Sequence, residues 1–221
     1  MGRLIVFEGT DGSGKSTQFR RFCDRLAAQG RSFTRLVFPQ YAEPSSALIR
    51  MYLGGEFGSR PGDVNPYAAS AFYAVDRYAS WKKVWGESYA AGGLILADRY
   101  TTSNAVHQAG KLPPEERGEF LDWLADFEYG RLGLPRPDGV IYLDMPTRES
   151  LRLLRSREAA THTQGDIHDT DTAYLALCRE TALRACAHYG WQRVECCRDG
   201  AVRTVEDIHS EIWERLAPLL K

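Results

Sequence analysis

The sequence predicts an α/β fold: a parallel five-stranded sheet flanked by helices, with a small mobile lid. Three observations carry this reading. Short apolar runs at residues 4–7, 33–38, 94–97, 140–143 and 191–196 suit strands buried on both faces. Helical patterns fill the intervals, and strands alternating with helices imply a parallel sheet covered on both sides. The residues with chemical potential follow directly after those runs, at strand carboxyl ends, where ligands gather in such sheets.

The first strand, Leu4-Ile5-Val6-Phe7, leads into Gly9-Thr10-Asp11-Gly12-Ser13-Gly14-Lys15-Ser16-Thr17. This stretch satisfies G-x-x-x-x-G-K-[ST], a loop that wraps nucleotide phosphates in a strand–loop–helix context. Its glycines let successive backbone N–H groups converge on anionic oxygens, and the next helix adds its positive N-terminus. Lys15 can reach the outer phosphates, and the Ser16 hydroxyl can ligate Mg²⁺. The helix spans residues 16–28, with Phe19, Phe22 and Leu26 on one face, and stops before Gly30.

The second strand, 33–38, ends in Phe38-Pro39-Gln40-Tyr41. A loop rich in Gly, Pro and Asp, residues 54–65, is too short to be a domain linker and precedes a long helix at 67–84 carrying Phe72, Val75, Tyr78, Ala79 and Val84. The third strand, 94–97, ends in Asp98-Arg99-Tyr100. A carboxylate there, beside a phosphate loop, can hold Mg²⁺ directly or through water, and Arg99 can grip a second phosphate in bidentate fashion. After Pro113-Pro114, Glu115 and Glu116 suit the positive end of a helix whose stripe is Phe120, Trp123, Leu124 and Phe127. Arg152, Arg155 and Arg157 precede the polar stretch 161–169, which predicts the lid at about 152–169. With 221 residues the chain suits one domain, 1–221, with that insertion inside it.

A formal net charge of −1 argues against a general binder of nucleic acid polymers or anionic membranes. Met1-Gly2-Arg3 runs straight into a strand with no signal-peptide layout, and no apolar stretch is long enough to span a bilayer. Cys23, Cys178, Cys186, Cys196 and Cys197 follow no disulfide or zinc pattern, so they read as reduced thiols in the cytoplasm. His162, His168 and Asp169 are too weakly spaced to signal a metal site.

The motifs then become specific. Phe7-Glu8-Gly9-Thr10-Asp11-Gly12-Ser13-Gly14-Lys15-Ser16-Thr17 resembles the F-E-G-x-D-G-x-G-K-S-T signature of thymidylate kinases. Asp98-Arg99-Tyr100-Thr101-Thr102-Ser103-Asn104 resembles that family's D-R-Y-x-x-S-N. Order, separation and chain length agree, so the likeness covers the chain from residue 4 to its C-terminal helix. It implies a P-loop NTPase-type sandwich that transfers the ATP γ-phosphoryl group to dTMP with Mg²⁺, as a cytoplasmic homodimer.

Residue by residue, the resemblance implies that Asp11 lies near the acceptor sugar and phosphate. It implies that Phe38 and Tyr41 line the acceptor pocket, and that Tyr73 stacks on the pyrimidine while Arg77 donates to its carbonyl. Asn104, His107 and Gln108 fall where the family contacts base and sugar. Two positions depart from the pattern: Gln40 stands where many members carry Arg, and His107 replaces a Tyr that crowds the ribose 2′ position. Arg50 is a weak substitute for the missing arginine. Gly12 occupies the place where one branch carries an arginine, so the likeness is to the bacterial branch, whose basic lid would supply Arg155 and Arg157. His168-Asp169 would face substrate, and the segment 198–205 is a guess for the adenine side. The residues alone leave open a kinase of another (deoxy)nucleotide or nucleoside, or a non-catalytic nucleotide-binding module. A guanine-nucleotide switch would carry N-K-x-D, a tetrapeptide absent here.

Overall fold

The computed structural model describes residues 1–161 and 172–220, without the side chains of 157–161 and 172. Strand β1 (Arg3–Glu8) is central in a five-stranded parallel sheet with β2 (Thr34–Val37), β3 (Leu94–Asp98), β4 (Gly139–Asp144) and β5 (Gln192–Glu195). Their order is β2-β3-β1-β4-β5, and every pairing is parallel. The predicted runs at 33–38 and 191–196 are shorter as strands, for both lie at sheet edges. The Phe38 N–H still donates to the Asp98 carbonyl at 3.0 Å, but Pro39 has no N–H to continue the ladder.

Strand alternation sorts the core. Ile5 and Phe7 face helices α1 (Lys15–Ala28) and α9 (Val205–Leu216), packing with Phe19, Phe22, Leu26, Ile208 and Ile212. Leu4 and Val6 face the other way, toward Phe38, Trp85 and Tyr100. Phe22 is fully buried against Phe7 at 5.3 Å between centroids, so truncation to alanine there should cost about 3–5 kcal/mol.

Between β2 and β3 run α2 (Ala47–Leu53), α3 (Pro66–Ser80) and α4 (Gly86–Ala90). The helix expected over 67–84 is interrupted: α3 passes into a π turn at Trp81–Trp85, which leads into α4. The turn sets Trp85 wholly inside the core, 6.1 Å from the Tyr100 ring. Between β3 and β4 lie α5 (Thr101–His107) and α6 (Arg117–Ala125), the latter extended by a second π turn at Asp126–Arg131. After β4 come α7 (Thr147–Thr161) and α8 (Thr172–Tyr189), and a small hairpin, β6 (Cys197–Arg198) with β7 (Ala201–Val202), precedes α9. All five cysteines are free thiols, and burial pushes those of Cys178, Cys186 and Cys196 up to about 12. No helix among the described residues is long and apolar enough to cross a membrane.

The register positions the site. Phe7 lies opposite Asp98, and Val37 also lies opposite Asp98. The phosphate loop, Phe38-Pro39 and Asp98-Arg99 therefore leave the sheet side by side.

Candidate active site

The loop after β1 has the conformation its glycines permit. Gly12 and Gly14 have φ of 78° and 83°, in the left-handed region that side chains disfavour. A Cβ on Gly12 would also collide with the Ser150 carbonyl of α7, so this loop cannot carry an arginine there without displacing that helix. The N-terminus of α1 has no side-chain cap, and Ser13 holds a buried hydroxyl without a hydrogen-bond partner. Unused N–H groups and an orphaned hydroxyl at a positive helix end suit an anion. Residues 10–17 all line a cavity of about 430 Å³, completed by Leu143, Met145, Leu153, Val202, Arg203, Val205 and Ile208. Gly9, expected with them, does not line it, and its N–H donates to Glu8 Oε1 at 2.9 Å. Val202, Arg203 and Val205 come from the segment 198–205.

Lys15 is nearly buried, and its ammonium is paired with Asp98 Oδ1. Burial lowers its pKa and Arg99 lowers it further, while Asp98 and Glu8 oppose both; the net is below the ordinary lysine value. Ser16 Oγ donates to Asp98 Oδ2 at 3.3 Å. Two hard oxygen donors this close fit Mg²⁺, an ion that takes few protein ligands and completes its shell with phosphates and water. Among the described residues there is no group of three or more His, Cys, Asp or Glu that could hold a metal ion by itself.

Arg99 joins the two halves of the site. Its φ is 69°, a conformation costing about 1–3 kcal/mol for a residue with a side chain. Its guanidinium is held by Asp11 at 2.6 Å and Glu8 at 3.6 Å, with Ser103 Oγ at 3.4 Å and His107 Nε2 at 3.1 Å. Because guanidinium only donates, His107 Nε2 must accept, which fixes the proton on Nδ1, beside Cys178 Sγ at 3.5 Å. Burial, the largest single effect, would raise the Asp11 carboxyl; the positive groups around it, Arg99 first and Lys15 among them, together outweigh it and hold Asp11 well below the usual carboxylate range. The same carboxylates raise Arg99 against the lowering effect of burial. Glu8, wholly buried, also accepts from Thr102 and Ser103 at 2.7 and 2.6 Å, tying the start of α5 to β1.

Beside this cluster lies a second cavity of about 270 Å³, and it shares Asp11, Lys15 and Ser16 with the first. Phe38, Tyr41, Tyr73, Arg99, Asn104, His107 and Gln108, which the resemblance singled out, line it together with Val37, Pro39, Leu53, Asp98 and Ser103. Tyr73 rather than Phe72 faces it, for Phe72 packs on Phe57 at 5.8 Å. Gln108 contributes a buried Oε1 without a partner. Tyr41 sits at the rim, half its surface exposed. Gln40 is held by its N–H, which donates to Asp76 Oδ2 at 2.9 Å, and its side chain is not on this cavity. Arg50 turns onto the carbonyls of Tyr41 and Glu43 and does not substitute there.

Arg77 corrects the sequence reading. It does not line the cavity. Its guanidinium is buried and bidentate on Glu128, with Nε at 2.7 Å from Oε2 and Nη2 at 2.5 Å from Oε1. Removing one partner of such a buried pair typically costs about 3–5 kcal/mol. Glu128 and Glu8 are the residues that sequence reasoning missed. Glu128 carries a legible signal: it continues the Phe120–Leu124 stripe by another four residues, a charge on a buried helix face. Glu8 is the carboxylate that closes an apolar strand.

Among the described side chains of the expected lid, Arg155 is not brought to either cavity. Residues 152–161 continue α7 as helix, and Arg155 is exposed and lines neither cavity. The Arg157 side chain, His162, His168 and Asp169 lie outside the described residues.

A phosphate-wrapping loop whose lysine and serine border two adjoining cavities has the layout of a nucleotide kinase of the P-loop α/β class. A family model described as thymidylate kinase matches residues 7–212. The thymidylate kinase of Mycobacterium tuberculosis is 35% identical over 167 residues, 75% of this chain and 76% of its own. A probable thymidylate kinase of Thermococcus onnurineus is 30% identical over 211 residues, 95% of this chain and 94% of its own. In fold, a solved thymidylate kinase structure from Candida albicans aligns with a TM-score of 0.71 at 20% identity, covering 98% of this chain and 92% of that one. This chain belongs to the thymidylate kinase family, and its reaction is transfer of the ATP γ-phosphoryl group to dTMP, giving dTDP.

Proposed function

We propose that ATP occupies the larger cavity and dTMP the smaller, with the reacting phosphates meeting at Lys15 and Ser16. The observation that carries this is the shared wall: Asp11, Lys15 and Ser16 line both cavities. The acceptor phosphate oxygen attacks the γ-phosphorus in line, and, being already largely ionised at neutral pH, it needs no general base. Loop N–H groups among residues 10–17 and Lys15 bind the donor phosphates, whereas Gly9, expected among them, spends its N–H on Glu8. Arg99 binds the acceptor phosphate, oriented by Asp11 and Glu8. Tyr73 stacks on the base, and Asn104, Gln108 and His107 face base and sugar, with Phe38 and Tyr41 closing the pocket. Ser16 and Asp98 would hold Mg²⁺, which neutralises phosphate charge when bound. A coupled assay with dTMP, dUMP, ribose TMP, dCMP and AMP tests the acceptor site; dTMP should give the highest kcat/KM. Preference for AMP or dCMP would overturn the assignment, and turnover of ribose TMP would show what His107 concedes at the 2′ position.

Arg155 and Arg157 are proposed to act from the lid, since the loop position held by Gly12 supplies no arginine. Leu153 on the donor cavity and Ser150 against Gly12 seat the base of α7 on the loop, which supports this. Replacing both with alanine should lower kcat by roughly a hundredfold with only a modest change in ATP affinity, because groups that act on developing charge register in kcat. The single variants should each lose most of that, being non-additive. Unaltered kcat in the double variant would make the lid a mere cover.

A homodimer in the cytoplasm completes the proposal. The free thiols suit a reducing compartment. On α3, Ala68, Val75 and Tyr78 form an exposed apolar stripe at helical spacing, with Val75 53% and Tyr78 40% exposed. Val75→Arg should convert a dimer to monomer by light scattering, leaving the thermal transition of the monomer cooperative. An unchanged mass would place any interface elsewhere.

A further inference from the structure

We propose that Glu128 is a positioning residue that fixes which atom Asn104 presents to the base. It thereby sets the preference for an acceptor whose ring nitrogen carries a hydrogen, as in thymine, over one whose ring nitrogen is a bare acceptor, as in cytosine. The inference rests on the reading of the smaller cavity as the dTMP site. Glu128 is completely buried and sits in the π turn after α6, a distortion that proteins tend to keep at functional positions. Its two oxygens accept from Arg77, from Thr101 Oγ1 at 2.8 Å and from Asn104 Nδ2 at 3.1 Å.

An ionised carboxylate can only accept, so Asn104 must turn its amide nitrogen toward Glu128. The Ser70 carbonyl takes the other amide hydrogen at 3.1 Å. Both donors are then engaged, and Oδ1 is what Asn104 has left for the cavity it lines. A carbonyl oxygen there accepts from a thymine ring N–H and opposes the lone pair of a cytosine ring nitrogen. A site built around a hydrogen bond rejects the analogue that cannot make it, because a polar group is left unpaired. Arg77 balances the charge of Glu128, which accounts for a buried guanidinium that does not itself line the cavity.

The test is competition between dTMP and dCMP in one reaction, because the ratio of their kcat/KM values does not depend on how much enzyme is active. In Glu128→Gln the new amide can donate to Asn104 Oδ1, allowing the Asn104 amide to turn its nitrogen toward the base. The dTMP preference should fall by about tenfold or more. The Ser70 carbonyl still favours the original orientation, so the preference should shrink and not reverse. Glu128→Asp keeps the charge for Arg77 but withdraws the oxygen from Asn104, and should shift the ratio the same way if the glutamine variant is insoluble. A purely structural role would lower both rates together and leave the ratio fixed, which would overturn the proposal. The unmodified enzyme gives a reading that needs no variant: the side-chain amide hydrogens of Asn104 should exchange slowly by NMR without ligand, and rapid exchange would also overturn it. If the unmodified enzyme shows no preference for dTMP over dCMP, the base-site assignment itself fails, which is distinguishable from failure of the Glu128 role alone.

Discussion

Replacing Lys15 by alanine should lower kcat at least about a hundredfold while leaving the protein folded, since removing one contact to developing phosphoryl charge costs about 3 kcal/mol or more. The fold should survive because the ammonium is embedded in the site: its partner is Asp98, and the α1 core below it rests on Phe19, Phe22 and Leu26. The loss leaves Asp98 with the Ser16 hydroxyl still donating to it, so part of the ligand sphere proposed for Mg²⁺ is retained. The defect should therefore appear chiefly in turnover at saturating substrates, with ATP affinity weakened less. The checks are kcat by coupled assay and a thermal melt on the same preparation. A cooperative melt with near-normal kcat would remove Lys15 from the chemistry.

Arg99→Ala should raise KM for dTMP and lower kcat, reducing kcat/KM by about a hundredfold to a thousandfold, while ATP binding is largely spared. Arg99 lines the smaller cavity and not the larger, which makes the asymmetry a test of the two proposed assignments. Two further effects follow from its surroundings. Asp11 loses the charge that holds its carboxyl low, and Glu8 loses one of the groups its buried carboxylate faces. Alanine keeps a Cβ, so the left-handed backbone at position 99 stays as costly as before and offsets none of that. Calorimetry with each nucleotide separates the outcomes: ATP binding lost with dTMP binding intact would mean that the two sites are reversed.

How far the sequence reached depends on whether a residue's role is local. The phosphate loop was fully legible, since strand, glycines, Lys15 and Ser16 are contiguous and a short segment decides its own backbone. The central strands were legible for the same kind of reason: residues 4–7, 94–97 and 140–143 are apolar because both sheet faces are covered, and β1, β3 and β4 are buried almost throughout. Edge strands were overrun by a residue or two, because pairing ends where a neighbour ends and not where apolarity does. The helix expected at 67–84 hid its π turn, for the helical period alone cannot say where an extra residue lets Trp85 swing into the core.

The site divides along the same line. The motif resemblance named residues that line the smaller cavity, from Phe38 to Gln108, and most of them follow strands whose ends the parallel register aligns, with Tyr73 added from α3. The resemblance placed Arg77 on the base, one helical turn from Tyr73, and the structure gives its guanidinium another partner. The partner, Glu128, is 51 residues away in the chain. Nothing local reports such a distance, and only packing α3 against the turn after α6 brings the charges together where each needs the other to be buried. So the sequence by itself determined the class of fold, the phosphate loop and the residue types available for phosphoryl transfer, since these are written in short contiguous patterns. The tertiary structure decided which of those groups face substrate and which face one another, because a buried charge settles on the partner that packing delivers.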